Sequence, residues 1–281
     1  GLGRALAIES ARRGENLILL SLPGEELCTF SRELHLRHQV SVLPYETDLT
    51  QPEAARQFHT WVKSQPIQVK TLINNAGIGG TASFERAPAD YIDNIILLNI
   101  RALAMLTHLF IPELRQQKGA RILNISSLAA FSPIPFKTVY PASKAFVYSF
   151  SLGLHEELRD TSVRVSVLHP GPMKTTVENT ERLERHGLWA KMSTLTVEEV
   201  AEIAIRDMRR GKPVIIPGML NKISCRMMKM VPSALKMRVC GSRAASSGMG
   251  ISSISSAAGS YRPMTPVRLP AYQTTPSSPT I

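Results

Sequence analysis

Apolar residues along the chain fall into two alternating patterns. Short runs at 16–21 (Asn-Leu-Ile-Leu-Leu-Ser), 40–45, 70–75, 121–126, 163–168 and 213–216 are apolar at consecutive positions, as strands buried on both faces are. Between them, 25–38, 52–64, 89–117, 138–159 and 197–210 have the length and spacing of helices. This alternation predicts an α/β fold, a doubly wound parallel sheet covered by helices on both faces. Ligands on such sheets bind outside the carboxyl ends of the strands. Asp48, Asn74 to Gly77, Ser127 and Pro170-Gly171 all stand at those ends. The chain opens directly on a helix, Gly1-Leu2-Gly3-Arg-Ala-Leu-Ala, with no strand before it. It is therefore expected to lack the first strand of its sheet, and two strand edges are expected to be exposed.

Composition narrows the class. With 281 residues, 43% apolar and 20% charged, the chain can bury a large core as a soluble protein. Cys28, Cys225 and Cys240 are odd in number and widely spaced, so neither a disulfide framework nor a zinc site is indicated and a reducing compartment is expected. The seven histidines form no HExxH pattern, and no metal is expected. The most apolar long run, 92–111, is interrupted by Asp93, Asn94, Asn99, Arg101 and His108, which argues against a membrane span. The net charge of +11 is concentrated near the C-terminus. Residues 205–240 hold nine basic residues and one acid, and residues 241–281 hold three arginines and no acid. The rest of the chain sums to zero, so the high pI says little about the core.

The candidate chemistry lies in Ser126-Ser127 and Tyr140-Pro-Ala-Ser-Lys144. Tyr140 and Lys144, four apart on a helix, share one face. A lysine cation beside a phenol of ordinary pKa about 10 is expected to lower it and make it a general acid/base. Pro141 suits a first helical turn. Ser127, thirteen residues before Tyr140, closes a buried strand, where its hydroxyl can meet the phenol over one substrate oxygen. Alone, a Tyr-x-x-x-Lys is also found as a solvated surface pair.

Taken together, Gly1-x-Gly3, Asp48-Leu49, Asn74-Asn75-Ala76-Gly77, Asn99, Ser127, Tyr140-x-x-x-Lys144 and Pro170-Gly171 followed by Thr175 resemble the short-chain dehydrogenase/reductase superfamily, in its compact single-domain branch. The resemblance covers residues 1 to about 217. It implies a Rossmann-type fold and reversible hydride transfer between a nicotinamide cofactor and a carbonyl or alcohol. It also implies that Tyr140 exchanges the substrate proton and that Lys144 tunes it and holds the nicotinamide ribose. Ser127 would bond the carbonyl oxygen, and Asn99 would pin a water joining Lys144 to solvent or, alternatively, make an interhelix bond. Gly1, Leu2 and Gly3 would face the pyrophosphate, Asp48 the adenine, and Asn75, Ala76 and Gly77 the ribose. Pro170, Gly171 and Thr175 would close on the carboxamide.

The stretch that would carry an NAD-selecting acid is Leu20-Ser21-Leu22-Pro23, with no carboxylate. NADP is therefore expected over NAD, with Arg4 either a contact or a solvated helix residue. Leu128 to Phe131 and Pro133 to Phe136 are apolar. The expected lid, 173–195, offers Leu183, Leu188, Trp189 and Met192. These suit a hydrophobic ketone or alcohol, or they pack on each other or on a second subunit; a homo-oligomer is expected. Three parts follow: a Rossmann-fold domain at 1–217, a basic amphipathic helical extension at 218–240, and a disordered low-complexity tail at 241–281. The extension through 219–240 covers a pocket, pairs with a subunit or lies on anionic lipid. The expected location is cytoplasmic, peripheral at a membrane only where the extension takes the lipid alternative. The tail, with scattered arginines and only Tyr261 and Tyr272 as aromatics, is a poor nucleic-acid surface. A second reading stays open: a non-catalytic relic that keeps the site but does not hold cofactor.

Overall fold

Residues 1–174 and 194–230 are described by the structure, a computed structural model. Helix α1 (Leu2–Arg12) leads into β1 (Leu17–Ser21), α2 (Leu27–His38), β2 (Val42–Glu46), α3 (Ala54–Ser64) and β3 (Thr71–Asn74). A long helical rod follows, made of α4 (Ala89–Ile96), a π-helical segment (Leu97–Ala102) and α5 (Leu103–Arg115). Then come β4 (Arg121–Ile125), a 3-10 turn (Leu128–Phe131), α6 (Val139–Glu157) and β5 (Arg164–Leu168). The short strands β6 (Met173–Lys174) and β7 (Leu195–Thr196) precede α7 (Val197–Arg209), β8 (Val214–Ile215) and α8 (Met219–Met230). Thr175, most of the expected lid and everything beyond residue 230 lie outside the described residues.

The strands are parallel and sandwiched by helices, as a Rossmann-type fold requires. Side chains alternate across β4. Ile122 joins α3 and α5 on one face, while Leu123 and Ile125 join α1 and α7 on the other. Burial of this kind contributes about 1.5–3 kcal/mol per large apolar side chain. A fully buried polar stitch runs across the first face. Asn74 Nδ2 donates to Thr107 Oγ1 at 2.9 Å and to Asn124 Oδ1 at 2.8 Å, and Asn124 Nδ2 donates to Ser151 Oγ at 2.9 Å. It locks β3, β4, α5 and α6 in one register.

The sheet is in two pieces. β1 pairs with β2, Leu17 opposite Val42 through Ser21 opposite Glu46. The larger sheet has the order β3-β4-β5-β8. Between the facing edges of β1 and β3 lies a cavity of about 1040 Å³, lined by Leu17 to Ser21 on one side and Lys70 to Asn75 on the other. The two pieces are tied at both ends of this slot. Arg209 bonds Glu15 at 2.6 Å at the amino end. At the carboxyl end Gly3 approaches Asn75 so closely that a Cβ there would lie 2.7 Å from the side-chain nitrogen. The two exposed edges expected from the sequence are thus found.

The rod from Ala89 to Arg115 is long and apolar enough to cross a membrane by length and composition, with a mean hydropathy of 1.8 over its most apolar window. Here it lies on the sheet, burying Leu103, Leu106, Phe110 and Leu114. Its polar residues, which interrupt the apolar run, include Asn99 and Thr107, and both are buried and hydrogen-bonded.

Candidate active site

Four elements meet at the carboxyl ends of β3 and β4. Helix α6 begins at Val139, so Tyr140 and Pro141 stand in its first turn and Lys144 one turn on. The Lys144 ammonium lies 5.9 Å from the centre of the Tyr140 ring. Ser127, immediately after β4, accepts from the Ala129 backbone N–H at 3.1 Å and so caps the 3-10 turn. The same side chain is hydrogen-bonded to the Tyr140 phenol. The structure thus brings Ser127, Tyr140 and Lys144 together.

The electrostatics differ from the expectation of a phenol acidified by its lysine. Burial pushes the Tyr140 phenol up, and the Ser127 hydrogen bond offsets this only in part. Burial is also what lowers Lys144, to about 8. Its Nζ is 3.0 Å from the Ile125 carbonyl oxygen, to which it donates, rather than paired with the phenol oxygen. The physical reason is desolvation. Both groups sit where water is scarce, and each is biased towards its neutral form.

Asn99 belongs to the π-helical segment, a local widening of the helix that recurs at functional sites. Its Oδ1 accepts from the Ile78 N–H at 2.9 Å, and its Nδ2 donates to the Ile78 carbonyl at 2.8 Å and to Ser143 Oγ at 2.9 Å. Ser143 in turn donates to the Tyr140 carbonyl at 2.8 Å. Asn99 therefore clamps the loop after β3 to the first turn of α6. Gly77 lies between this clamp and the lysine. A Cβ there would stand 3.1 Å from both Asn99 Oδ1 and Lys144 Nζ, so a side chain would push on both.

Some positioning residues were not foreseen from the sequence. Gly79 lies against the Tyr140 ring, where a Cβ would be 3.0 Å from the nearest ring carbon. Its signal was the Gly79-Gly80 pair directly after the Asn-Asn-Ala-Gly stretch. The His169 ring nitrogen sits 3.0 Å from the Ser127 carbonyl oxygen, and Ser126 Oγ donates to the Lys144 carbonyl at 2.8 Å. A lone histidine after β5 gave no usable signal.

The remaining candidates lie around the same end of the sheet. Asp48 Oδ1 accepts from the Thr50 N–H at 2.9 Å and from the Thr50 hydroxyl at 2.7 Å, leaving Oδ2 to Gln51 at 3.3 Å. Gly1 caps α1 without a side-chain bond, so that helix start is open to an anion. Gly1, Leu2, Gly3, Asn75 and Ala76 line the carboxyl end of the slot. The Pro170 carbonyl accepts from the Leu128 N–H at 3.1 Å, joining the loop after β5 to the turn after Ser127. Gly171 is pressed by the Asn221 amide, 2.6 Å from where a Cβ would be. Among the described residues no cluster of His, Cys, Asp and Glu could hold a metal.

A nicotinamide dinucleotide fits this donor set. The start of α1, with no side-chain cap, would take the pyrophosphate, and the Gly77 backbone would take a sugar beside Lys144. The parallel fold, the glycine-flanked helix start and the serine–tyrosine–lysine cluster define a nicotinamide-dependent oxidoreductase. The chain belongs to the short chain dehydrogenase family, whose model matches residues 1–186. It is 29% identical over 235 residues to an uncharacterized oxidoreductase of Myxococcus xanthus, covering 84% of this chain and 90% of that one. It is 33% identical over 181 residues to the 17-beta-hydroxysteroid dehydrogenase type 3 of Mus musculus, covering 62% of this chain and 57% of the relative's length. Its fold matches a short-chain dehydrogenase of Sphingobium yanoikuyae solved with NADPH, with a TM-score of 0.68 and 28% identity over 83% of this chain and 93% of that one.

Proposed function

We propose that the protein is an NADPH-dependent carbonyl reductase acting on a hydrophobic ketone, with Tyr140 as the general acid. The observation that carries this is the Tyr140 phenol hydrogen-bonded to Ser127, with the buried Lys144 beside its ring. When bound, the cofactor supplies the hydride. Burial keeps the phenol protonated at neutral pH, the form that donates to a developing alkoxide. Ser127 fixes the substrate oxygen against that phenol. Lys144 lies beside the bare Gly77 backbone, where a ribose would lie, and Asn99 and Ser143 hold both elements in place. The stretch from Leu20 to Pro23 carries no acid to repel a 2′-phosphate. Arg4, stacked 4.2 Å over the Phe30 ring, is a cation for it. The apolar Leu128 to Phe131 turn beside Ser127, and the likeness to a hydroxysteroid dehydrogenase, favour a bulky apolar ketone.

The test is NADPH oxidation by the purified chain against a panel of bulky ketones, steroid ketones included. Turnover with NADPH exceeding that with NADH, lost about a thousandfold in Tyr140→Phe, is the expected result. Equal or better turnover with NADH rejects the cofactor assignment; unchanged turnover in the variant rejects the acid. The split sheet favours a second reading, a non-catalytic chain that does not hold cofactor. Absence of any NADPH fluorescence change on titration would select it.

A further inference from the structure

Helix α8 buries one face and exposes the opposite, apolar one. Asn221 and Cys225 are buried. Asn221 Nδ2 donates to the Pro217 carbonyl at 2.9 Å, and its amide rests on Gly171. The helix also packs on the 3-10 turn that follows Ser127. α8 is therefore fixed beside the candidate active site.

The opposite face carries Met219, Ile223, Met227 and Met230, which are 70%, 41%, 58% and 83% exposed. At 3.6 residues per turn these four fall within a single narrow arc, about 180° from Asn221 and Cys225. Scattered surface apolar residues need no explanation, but a continuous stripe does. Lys222 and Arg226 are exposed along one flank of the stripe. Residues 219–230 contain no Asp or Glu. An apolar stripe with cations along one flank and no acid on the helix matches the boundary between acyl chains and anionic headgroups. A protein partner with an apolar groove would not require the cations.

We infer that α8 docks the protein on an anionic membrane surface, with Met219, Ile223, Met227 and Met230 entering the headgroup boundary and Lys222 and Arg226 meeting lipid phosphates. Because α8 borders Gly171 and the turn after Ser127, docking brings the candidate site close to the lipid. Resting on the function proposed above, this supplies a route by which an apolar ketone reaches Tyr140 without crossing water. The docking itself does not depend on that function.

The experiment is flotation of the full chain with vesicles of phosphatidylcholine alone or mixed with phosphatidylserine. Binding only to the mixed vesicles, weakened as salt is raised, is expected. Lys222→Gln with Arg226→Gln should lower the partition coefficient about thirtyfold, at about 1 kcal/mol per cation. Ile223→Ser with Met227→Ser should abolish it at unchanged Tm, because both residues are exposed. Equal flotation with neutral and anionic vesicles, or none with either, overturns the proposal. So does a concentration-dependent dimer in sedimentation that the serine variant dissolves, which assigns the stripe to a second copy of the chain. Flotation reads no turnover, so an inactive but lipid-bound chain refutes the proposed function and leaves this inference standing.

Discussion

Replacing Lys144 by Met should make the protein more stable at pH 7 while removing its activity. The ammonium is buried at 5% exposure, and burial lowers its pKa from the ordinary 10.5 to about 8. At about 1.4 kcal/mol per pH unit, keeping it charged costs the folded state about 3 kcal/mol at pH 7, where both folded and unfolded chains carry the proton. The cost is relieved as pH rises through 8 towards 10.5, because there the unfolded chain binds the proton and the folded one does not. Wild-type stability should thus climb by about 2 kcal/mol between pH 7 and pH 9.5 from this group alone. Methionine has similar length and no charge. It loses the hydrogen bond to the Ile125 carbonyl, worth about 1–2 kcal/mol, so the net gain at pH 7 is about 1–2 kcal/mol. The assay is urea unfolding of both proteins at the two pH values. A Lys144→Met variant more stable at pH 7, with its advantage shrinking by about 2 kcal/mol at pH 9.5, is the expected outcome. A variant that keeps the same difference from wild type at both pH values would refute the claim that desolvation governs this lysine.

Two other perturbations test separate parts of the site. Gly79→Ala puts a methyl 3.0 Å from the Tyr140 ring; a few tenths of an ångström of displacement should lower kcat about tenfold while cofactor KM changes little, and a full-rate variant would show that the ring position is not critical. Joining an apolar five-residue strand ahead of Gly1 should fill the slot between β1 and β3. Burial and new hydrogen bonds less ordering entropy come to roughly 1 kcal/mol per residue, about 5 kcal/mol in all. A rise in Tm with tighter NADPH binding is the expected reading, and an unchanged Tm would mean that the edges do not accept a strand.

The fold was legible wherever burial on both faces forces unbroken apolar runs. β4 and β5 could be read directly because each is covered by helices on both sides, and the ends found differ from those expected by only one or two residues. The Ser127, Tyr140 and Lys144 cluster was legible because a four-residue helical spacing and a strand end are local facts. What the sequence hid was the environment. The tyrosine and lysine were expected to be coupled by charge, but desolvation, which depends on everything packed around them, dominates both. Asn99 could be placed on a helix but not in a π-helical turn, since that widening follows from its bonds to Ile78 and Ser143 some distance away in the chain. Gly79 and His169 matter through contacts with the Tyr140 ring and the Ser127 backbone that no local pattern encodes.

The split sheet separates the two tasks of the site. The groups proposed to handle the proton, Ser127, Tyr140, Lys144 and Asn99, stand at the end of β4, on α6 and on the rod over the four-stranded sheet. They are tied through Ile78, Ser143 and Ile125 without crossing the slot. The residues proposed for the dinucleotide surround it: Gly1, Leu2 and Gly3 open α1, which packs on α7 of the larger sheet as well as on α2 and β1, Asp48 follows β2, and Asn75, Ala76 and Gly77 follow β3. Among the described residues these halves are held at their spacing by the Glu15–Arg209 pair at one end, the Gly3–Asn75 approach at the other, the Arg101 bonds to the Gln51 and Pro52 carbonyls, the His59–Glu113 contact and the core beneath. A surface ion pair of that kind contributes about 1 kcal/mol or less. Looseness across the slot should therefore appear in cofactor affinity well before it appears in proton transfer. Arg209→Ala should follow this division, raising the cofactor KM while leaving kcat at saturating cofactor unaltered. An equal fall in kcat would mean that the proton-handling groups are not held independently of the slot.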